Sequence, residues 1–357
     1  MTMFRPLSML AVSLTLAVLA VLLGSGDAQA RIKCGSILGP GGSHVLDRDL
    51  TCAQVDKAGT DYPDRIGVLK VIGGATLNLN GHTVTCKPGY TGPYAKDAWG
   101  IVARDSTVKN GTVRGCRFGI VPSGSFVKGM TLDANDNGVW MREKEGSGGN
   151  VIIGNTATNN RAYGFYMQET RDEMLIDNIA QGNLVGFGFH DADVALIGNV
   201  ALRNTTLGFQ ADGPGRLMGN RAEENGEGFS ISHIGETAGN IASRNTGSGF
   251  VVYTSRPAML SLIHDNVAQG NGGDGFQLQL GNDGPPGTLS SNYAINNLGY
   301  GLHVVDVFGP VLAEPTVTIT GNTVIRNAAG DLADVSDCRY VLWVANRFGT
   351  AAQSCIH

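Results

Sequence analysis

The sequence predicts an all-β fold, a right-handed parallel β-helix with three short strands per turn and disulfide-stapled ends. Three observations carry this expectation: a two-asparagine motif that recurs eight times, 52 glycines in 357 residues, and six cysteines confined to the two ends. Glycine at about 15% is roughly twice ordinary usage. It shows no G-X-Y period, so it signals tight turns and close backbone approaches rather than collagen.

The motif is Asn, any, small apolar, any, any, Asn. Its asparagine pairs are 155/160, 178/183, 199/204, 220/225, 240/245, 266/271, 292/297 and 322/327. The small residue between them is Ala157, Ala180, Ala201, Ala222, Ala242, Ala268, Ala294 or Val324. Soon after the second Asn comes Gly, usually with Phe or Leu next: Gly164-Phe165, Gly188-Phe189, Gly208-Phe209, Gly228-Phe229, Gly249-Phe250, Gly275-Phe276 and Gly301-Leu302. First asparagines are 23, 21, 21, 20, 26, 26 and 30 residues apart, the period of a stacked repeat. Segments between turns are too short for helix pairs, and Asn and Gly are poor helix formers. Propeller blades need about 40 to 45 residues. In a β-helix, identical positions stack about 4.8 Å apart. Stacked asparagines then form amide ladders, with Asn tolerating the left-handed turn conformation, while Ala and Phe columns fill a narrow core.

The first thirty residues read as a secretory signal: Arg5, an apolar run at 7–23 and small residues ending at Ala30. The predicted organisation is signal peptide at 1–30, N-terminal cap at 31–65, β-helix of about ten to eleven turns at 66–336 and closing segment at 337–357. A secreted or periplasmic location follows, with no membrane span after signal cleavage. Cys34, Cys52, Cys86, Cys116, Cys338 and Cys355 all follow the signal, an even count that reads as three disulfides. Fifteen pairings are possible, and the sequence-local set Cys34–Cys52, Cys86–Cys116, Cys338–Cys355 is favoured. Stapling only the ends suits a solenoid, whose raw edges lie there. No C-x2-C spacing points to a metal. The net charge of -5 carries no basic run, which argues against nucleic acid.

On these features the chain resembles the bacterial right-handed parallel β-helix repeat proteins of the pectate-lyase-like superfamily. Leu77-Asn78-Leu79-Asn80-Gly81-His82-Thr83-Val84 is similar to that family's entry strand, as is Asp49-Leu50-Thr51-Cys52. Trp343, Asn346, Arg347-Phe348-Gly349-Thr350 and Cys355 resemble its closing segment. The resemblance covers nearly all of the chain after the signal. It implies the fold, and for activity only a choice among lyases, hydrolases, epimerases and non-catalytic members.

Chemistry is sought on outward positions, which alternate with core positions along a strand. With the Phe of each Gly-Phe pair inward, one outward column reads Trp140, Tyr166, His190, Gln210, Ser230, Val251, Gln277, His303. The second reads Arg142, Gln168, Ala192, Asp212, Ser232, Tyr253, Gln279, Val305, with Glu143, Glu169, Asp191, Asp193, His233 and Arg256 on flanking turns. Aromatic faces, amides and imidazoles in register suit sugar rings and hydroxyls. The expected partner is therefore an extended polysaccharide. Trp140, Tyr166, Gln168, Gln210 and His233 are the expected binding residues. His190, Asp212 and Arg142 are the expected catalytic set, as acid or base, orienting carboxylate and uronate-neutralising cation. Alginate epimerases on this fold resemble the chain around Tyr163-Gly164-Phe165, but they continue with Asp-Pro-His where this chain has Tyr166-Met167-Gln168. Epimerase activity is therefore not expected, and a polysaccharide lyase is the enzymatic reading. The alternatives are a non-catalytic glycan-binding or cell-surface protein and, ranked last, a periplasmic accessory protein. No cofactor is expected; Gly272-Gly273-Asp274-Gly275 offers one isolated hint of calcium, with a plain glycine turn favoured.

Overall fold

The computed structural model describes residues 31–53, 67–87, 99–142, 148–254, 262–281, 287–308 and 317–356. The proposed signal segment, Glu143, Arg256 and the insertions at 88–98, 282–286 and 309–316 lie outside the described residues. The chain divides after Ile32; of the first unit only Arg31 and Ile32 are described, and the second, Lys33–His357, is the β-helix.

Thirteen strands stack into one sheet, from Ile37–Leu38 through Val185–His190 to Gly330–Asp334. Neighbours pair in parallel. Two further stacks run alongside, so each turn contributes three strands. Pairing continues into both flanking segments. Ser43–Val45 and Leu50–Cys52 pair with the next turn, and Val341–Val344 and Arg347–Phe348 with the one before. Strand pairing therefore continues on both sides of residues 66–336, where the terminal strands keep their alternation without the Asn pair.

The core is built from columns. Phe165, Phe187, Phe209, Phe229, Phe250 and Phe276 stack with centroids 4.6–4.9 Å apart and planes within 7° of parallel. All six are buried, and burial of each side chain is worth about 1.5–3 kcal/mol. The alanines from Ala157 to Ala294 form a second buried column. Between these columns the corner glycines have no room for a side chain. A Cβ on Gly186 would lie 2.6 Å from the Gly208 carbonyl oxygen and 2.9 Å from the Asn204 amide.

Both asparagine positions form continuous buried ladders. Asn178 Oδ1 accepts the backbone N–H and the side-chain amide of Asn155, at 2.9 and 3.0 Å. Its own amide donates to Ile152 O and Asn199 Oδ1, at 2.8 and 3.0 Å. The second ladder repeats this from Asn160 to Asn327. The left-handed residue is not the ladder asparagine, as expected above, but the one before it: Asp177, Arg203, Glu224, Arg244, Asp265 and Ser291 have φ of 52–56°. Turning the backbone there aims the following amide into the ladder. At the third corner, Asn150 donates its backbone N–H and its side-chain amide to the Glu173 carboxylate, at 3.1 and 3.2 Å. Burial pushes the Glu173 carboxyl up to about 7, against the opposing effect of the Asn150 hydrogen bonds.

The registry of one turn differs from the sequence expectation. The Gly-Phe pair of Val185–His190 is Gly186-Phe187, not Gly188-Phe189. Gly186 follows Asn183 by three residues, as Gly228 follows Asn225, and only this choice places a glycine against the Gly208 carbonyl. Gly188 therefore takes the column of Tyr166, His190 moves to the column of Gln168, and Ala192 is buried rather than outward. In the last full turn a bulge sets Asp306, not Val305, opposite Gln279.

Candidate functional site

On the face away from the Phe core the thirteen-stranded sheet carries three columns in its middle turns, in which Phe118, Val121, Asn137, Val185 and Gly188 are themselves buried. The first runs Phe118, Asn137, Tyr163, Val185, Leu207, Glu227. The second runs Val121, Trp140, Tyr166, Gly188, Gln210, Ser230. The third runs Arg142, Gln168, His190, Asp212, Ser232. Every residue expected at the site is on this sheet or the turn that leaves it.

Aromatic rings occupy the early turns. Phe118 stacks on Trp140 at 4.6 Å, Trp140 on Tyr166 at 4.8 Å, and Tyr163 tilts against Tyr166 at 4.5 Å. Gly188 makes this possible, because a Cβ there would lie 2.5 Å from the Tyr163 ring. Tyr163 thus crosses the vacant position, and its hydroxyl donates to Gln210 Oε1 at 3.2 Å. Half-burial pushes both tyrosine hydroxyls up; at Tyr166, Tyr163 adds to this and Arg142 opposes it. The Nε1 of Trp140 and the Nε of Arg142 are buried donors with no hydrogen-bond partner among the described residues.

The titratable groups meet at the far end of the third column. Asp212 Oδ2 lies 2.9 Å from His190 Nδ1 and its Oδ1 lies 2.8 Å from His233 Nδ1. One carboxylate thus accepts from two imidazoles and fixes both rings. His233 reaches it because its own φ of 60° turns the chain back at the strand end. His190 is the most exposed of the three, with 46% of its side chain accessible against 24% for Asp212 and 17% for His233. Its Nε2 lies 3.3 Å from Asp191 Oδ2. Gln168 and Arg142 continue the column, one and two strands from His190, which is roughly 5 and 10 Å at strand spacing.

The structure therefore joins His190, Asp212 and His233 directly and pairs Trp140 with Tyr166. It ties Gln210 to Tyr163, and it leaves Arg142 and Gln168 in the same column without contact to the imidazoles among the hydrogen bonds described. Sequence reasoning missed Tyr163. A Tyr directly before the corner glycine Gly164 was the available signal, masked by the Phe column that starts one residue further on.

Parallel stacking of three strands per turn, together with the solved structures it resembles, settles the class. The chain is a right-handed parallel β-helix repeat protein. This β-helix resembles the periplasmic alginate epimerase AlgG at 16% identity and a TM-score of 0.53, covering 85% of this chain and 84% of that one. It resembles the Azotobacter vinelandii mannuronan C-5 epimerase AlgE4 A-module at 15% identity and a TM-score of 0.51, covering 88% and 91%. The tailspike of E. coli bacteriophage HK620, solved with a pentasaccharide, matches at 11% identity and a TM-score of 0.57, covering 81% of this chain and 61% of that one. Residues 78–238 match the family model described as periplasmic copper-binding protein (NosD). No curated protein matches the chain in sequence.

Among the described residues no group of three or more His, Cys, Asp or Glu is arranged to hold a metal, and all six cysteines are in disulfides. The disulfides pair as the sequence-local set. Among the described residues no helix is long and apolar enough to cross a membrane.

Proposed function

We propose that this β-helix binds an extended polysaccharide along the face from Trp140 to His233 and acts on it as a lyase, outside the cytoplasm after removal of residues 1–30. The carrying observation is the Asp212 carboxylate holding two imidazoles in line with an aromatic stack and a guanidinium. The solved structures it resembles include an alginate epimerase, a mannuronan C-5 epimerase and a tailspike in complex with a pentasaccharide, which supports a sugar polymer as ligand. In the reaction we assign, His190 takes the proton beside a uronate carboxylate and Arg142 stabilises the charge that develops on that carboxylate. The β C–O bond breaks, the electron pair of the C–H bond becomes the new C=C bond, and solvent protonates the departing oxygen. Trp140 and Tyr166 stack on each other and offer the outer edges of their rings to the sugars, and Gln168 and Gln210 offer amides to hydroxyls.

The test is incubation with alginate, polygalacturonate and hyaluronan, following the ultraviolet band of the unsaturated product. Turnover that disappears in His190→Ala and Arg142→Ala supports the lyase; turnover unchanged in both removes this site. A non-catalytic glycan-binding role is the second reading. It is favoured by one observation, that both ring nitrogens of His190 lie beside carboxylates, Asp212 and Asp191, so that Asp191 occupies the side of the ring from which a substrate C–H would approach. Binding weakened by Trp140→Ala and Tyr166→Ala, without unsaturated product from any of the three polymers, selects it.

A further inference from the structure

The same sheet carries a second histidine–carboxylate pair that the site above does not use. His303, whose sequence neighbours are apolar, has its Nδ1 2.9 Å from Asp274 Oδ2. The other oxygen, Asp274 Oδ1, accepts the backbone N–H of Tyr300 at 2.7 Å. The Asp274 backbone N–H donates to Ser248 Oγ at 3.2 Å, and Ser248 Oγ also lies 3.4 Å from Gln277 Oε1. The Tyr300 ring tilts over the imidazole at 4.6 Å. The Gly272–Gly275 turn thus presents Asp274 to a histidine and a backbone amide.

This arrangement is oriented rather than merely satisfied. With Nδ1 committed to Asp274, Nε2 is the ring nitrogen of His303 that remains for a ligand, on the strand next to Gln277 and in a ring that packs against Tyr300. His303, Gln277, Ser230 and Gln210 all belong to the column that begins with Trp140 and Tyr166. The turns that carry Asp212 and Asp274 are three strands apart, roughly 14 Å along the stack, and those that carry Tyr166 and Tyr300 six strands apart, roughly 29 Å. Those spans exceed any single sugar ring. The strands between are not all polar: Val251 interrupts the column but is buried, and Ser230 and Ser248 flank it.

We infer that Asp274, Gln277, Tyr300 and His303 form a second, distal glycan subsite, which engages the hydroxyls of the same polysaccharide several residues along the chain from the His190–Asp212–His233 centre. This rests on the polysaccharide reading and deepens it: the ligand is a polymer long enough to cover both clusters, not a short oligosaccharide. Tyr300 supplies the flat face, His303 Nε2 and the Gln277 amide supply hydrogen bonds, and Asp274 positions the imidazole.

The test is affinity electrophoresis of the full chain in gels containing alginate, polygalacturonate, hyaluronan, xylan or dextran. The wild-type protein is compared with Tyr300→Ala, His303→Gln, the milder Tyr300→Phe and Trp140→Ala, each checked for an unchanged melting temperature. The expected result with the polymer that retards the wild type best is about five- to tenfold weaker binding for Tyr300→Ala and His303→Gln. With disaccharides of the same polymer as competitors, those two variants should match the wild type and only Trp140→Ala should be weaker. Retention that depends on Trp140 but is unaltered by Tyr300→Ala and His303→Gln overturns the distal subsite while leaving the proposed function standing. Wild-type protein that no polymer retards removes both.

Discussion

Asp212 commits both carboxylate oxygens to imidazoles, so an amide in its place can satisfy only one of them. In Asp212→Asn the released ring is free to turn, and the proton-transfer geometry at His190 is lost while the aromatic and amide contacts to substrate remain. Elimination rate should fall by about 10²-fold or more with affinity nearly unchanged, read from initial rates and polymer binding on one preparation. Equal losses in both would assign Asp212 to binding. Glu173 makes a separate prediction about pH. Its carboxyl is raised by burial to about 7 from 4.5, so between those values the folded protein holds a proton that the unfolded chain has released. Stability from this group is complete below pH 4.5, declines as pH rises towards 7 and stays lost above it, a change of about 3 kcal/mol. Glu173→Gln removes the titration. Its stability relative to wild type, from urea unfolding, should therefore rise across pH 4.5–7 and level off beyond; a flat difference would show that Glu173 stays ionised when folded.

At the scale of an element, the asparagine ladder is the unit that fixes where each turn sits. Asn220 accepts from the backbone and amide of Asn199 and donates to Leu196 O and Asn240 Oδ1, all in the buried interior. Asn220→Ala leaves several of these groups without partners, and a loss of about 3 kcal/mol or more in unfolding free energy is expected. Asn110, an exposed asparagine outside the two continuous ladders, should cost far less when replaced by alanine. The ladder was legible in the sequence because each step needs a group that both donates and accepts, which the Asn amide does close to its own backbone, so the same residue recurs turn after turn. The outward columns were less legible. A strand has period two, and two overlapping Gly-Phe dipeptides in Val185–His190 both fit that period. What breaks the tie is space at the corner, where only the glycine against the Gly208 carbonyl fits, and space is a property of the neighbouring turn rather than of the strand itself. The slip moved His190 by one column, and its correction brings the imidazole onto Asp212. The His303–Asp274 pair was hidden for a related reason: its partners lie 29 residues apart and meet only through stacking.

For the molecule as a whole, each turn touches only the turns before and after it, so stability accumulates along the stack and is weakest where a neighbour is missing. The disulfides follow this gradient: two tie the first turns, one ties the last, and the central turns rely on Phe, Ala and Asn columns. Cys338–Cys355 closes a separation of 17 residues around the final strands, and closing a loop of that order contributes about 3 kcal/mol. Because coupling is between neighbours, this stabilisation acts locally. In the Cys338→Ser, Cys355→Ser double variant, amides of Val341–Val344 and Arg347–Phe348 should lose about a hundredfold in hydrogen-exchange protection, while those of Leu207–Asp212 and Glu227–Ser232 keep theirs. The candidate ligand face sits in those central turns, so polymer binding at Trp140 and Tyr166 should survive the loss of the terminal staple. The distal residues Asp274 to His303 lie nearer the frayed end and should weaken first. Uniform loss of protection from Leu207 to Phe348 would instead mean that the β-helix opens as one cooperative unit, with the staple stabilising every turn through the ladders.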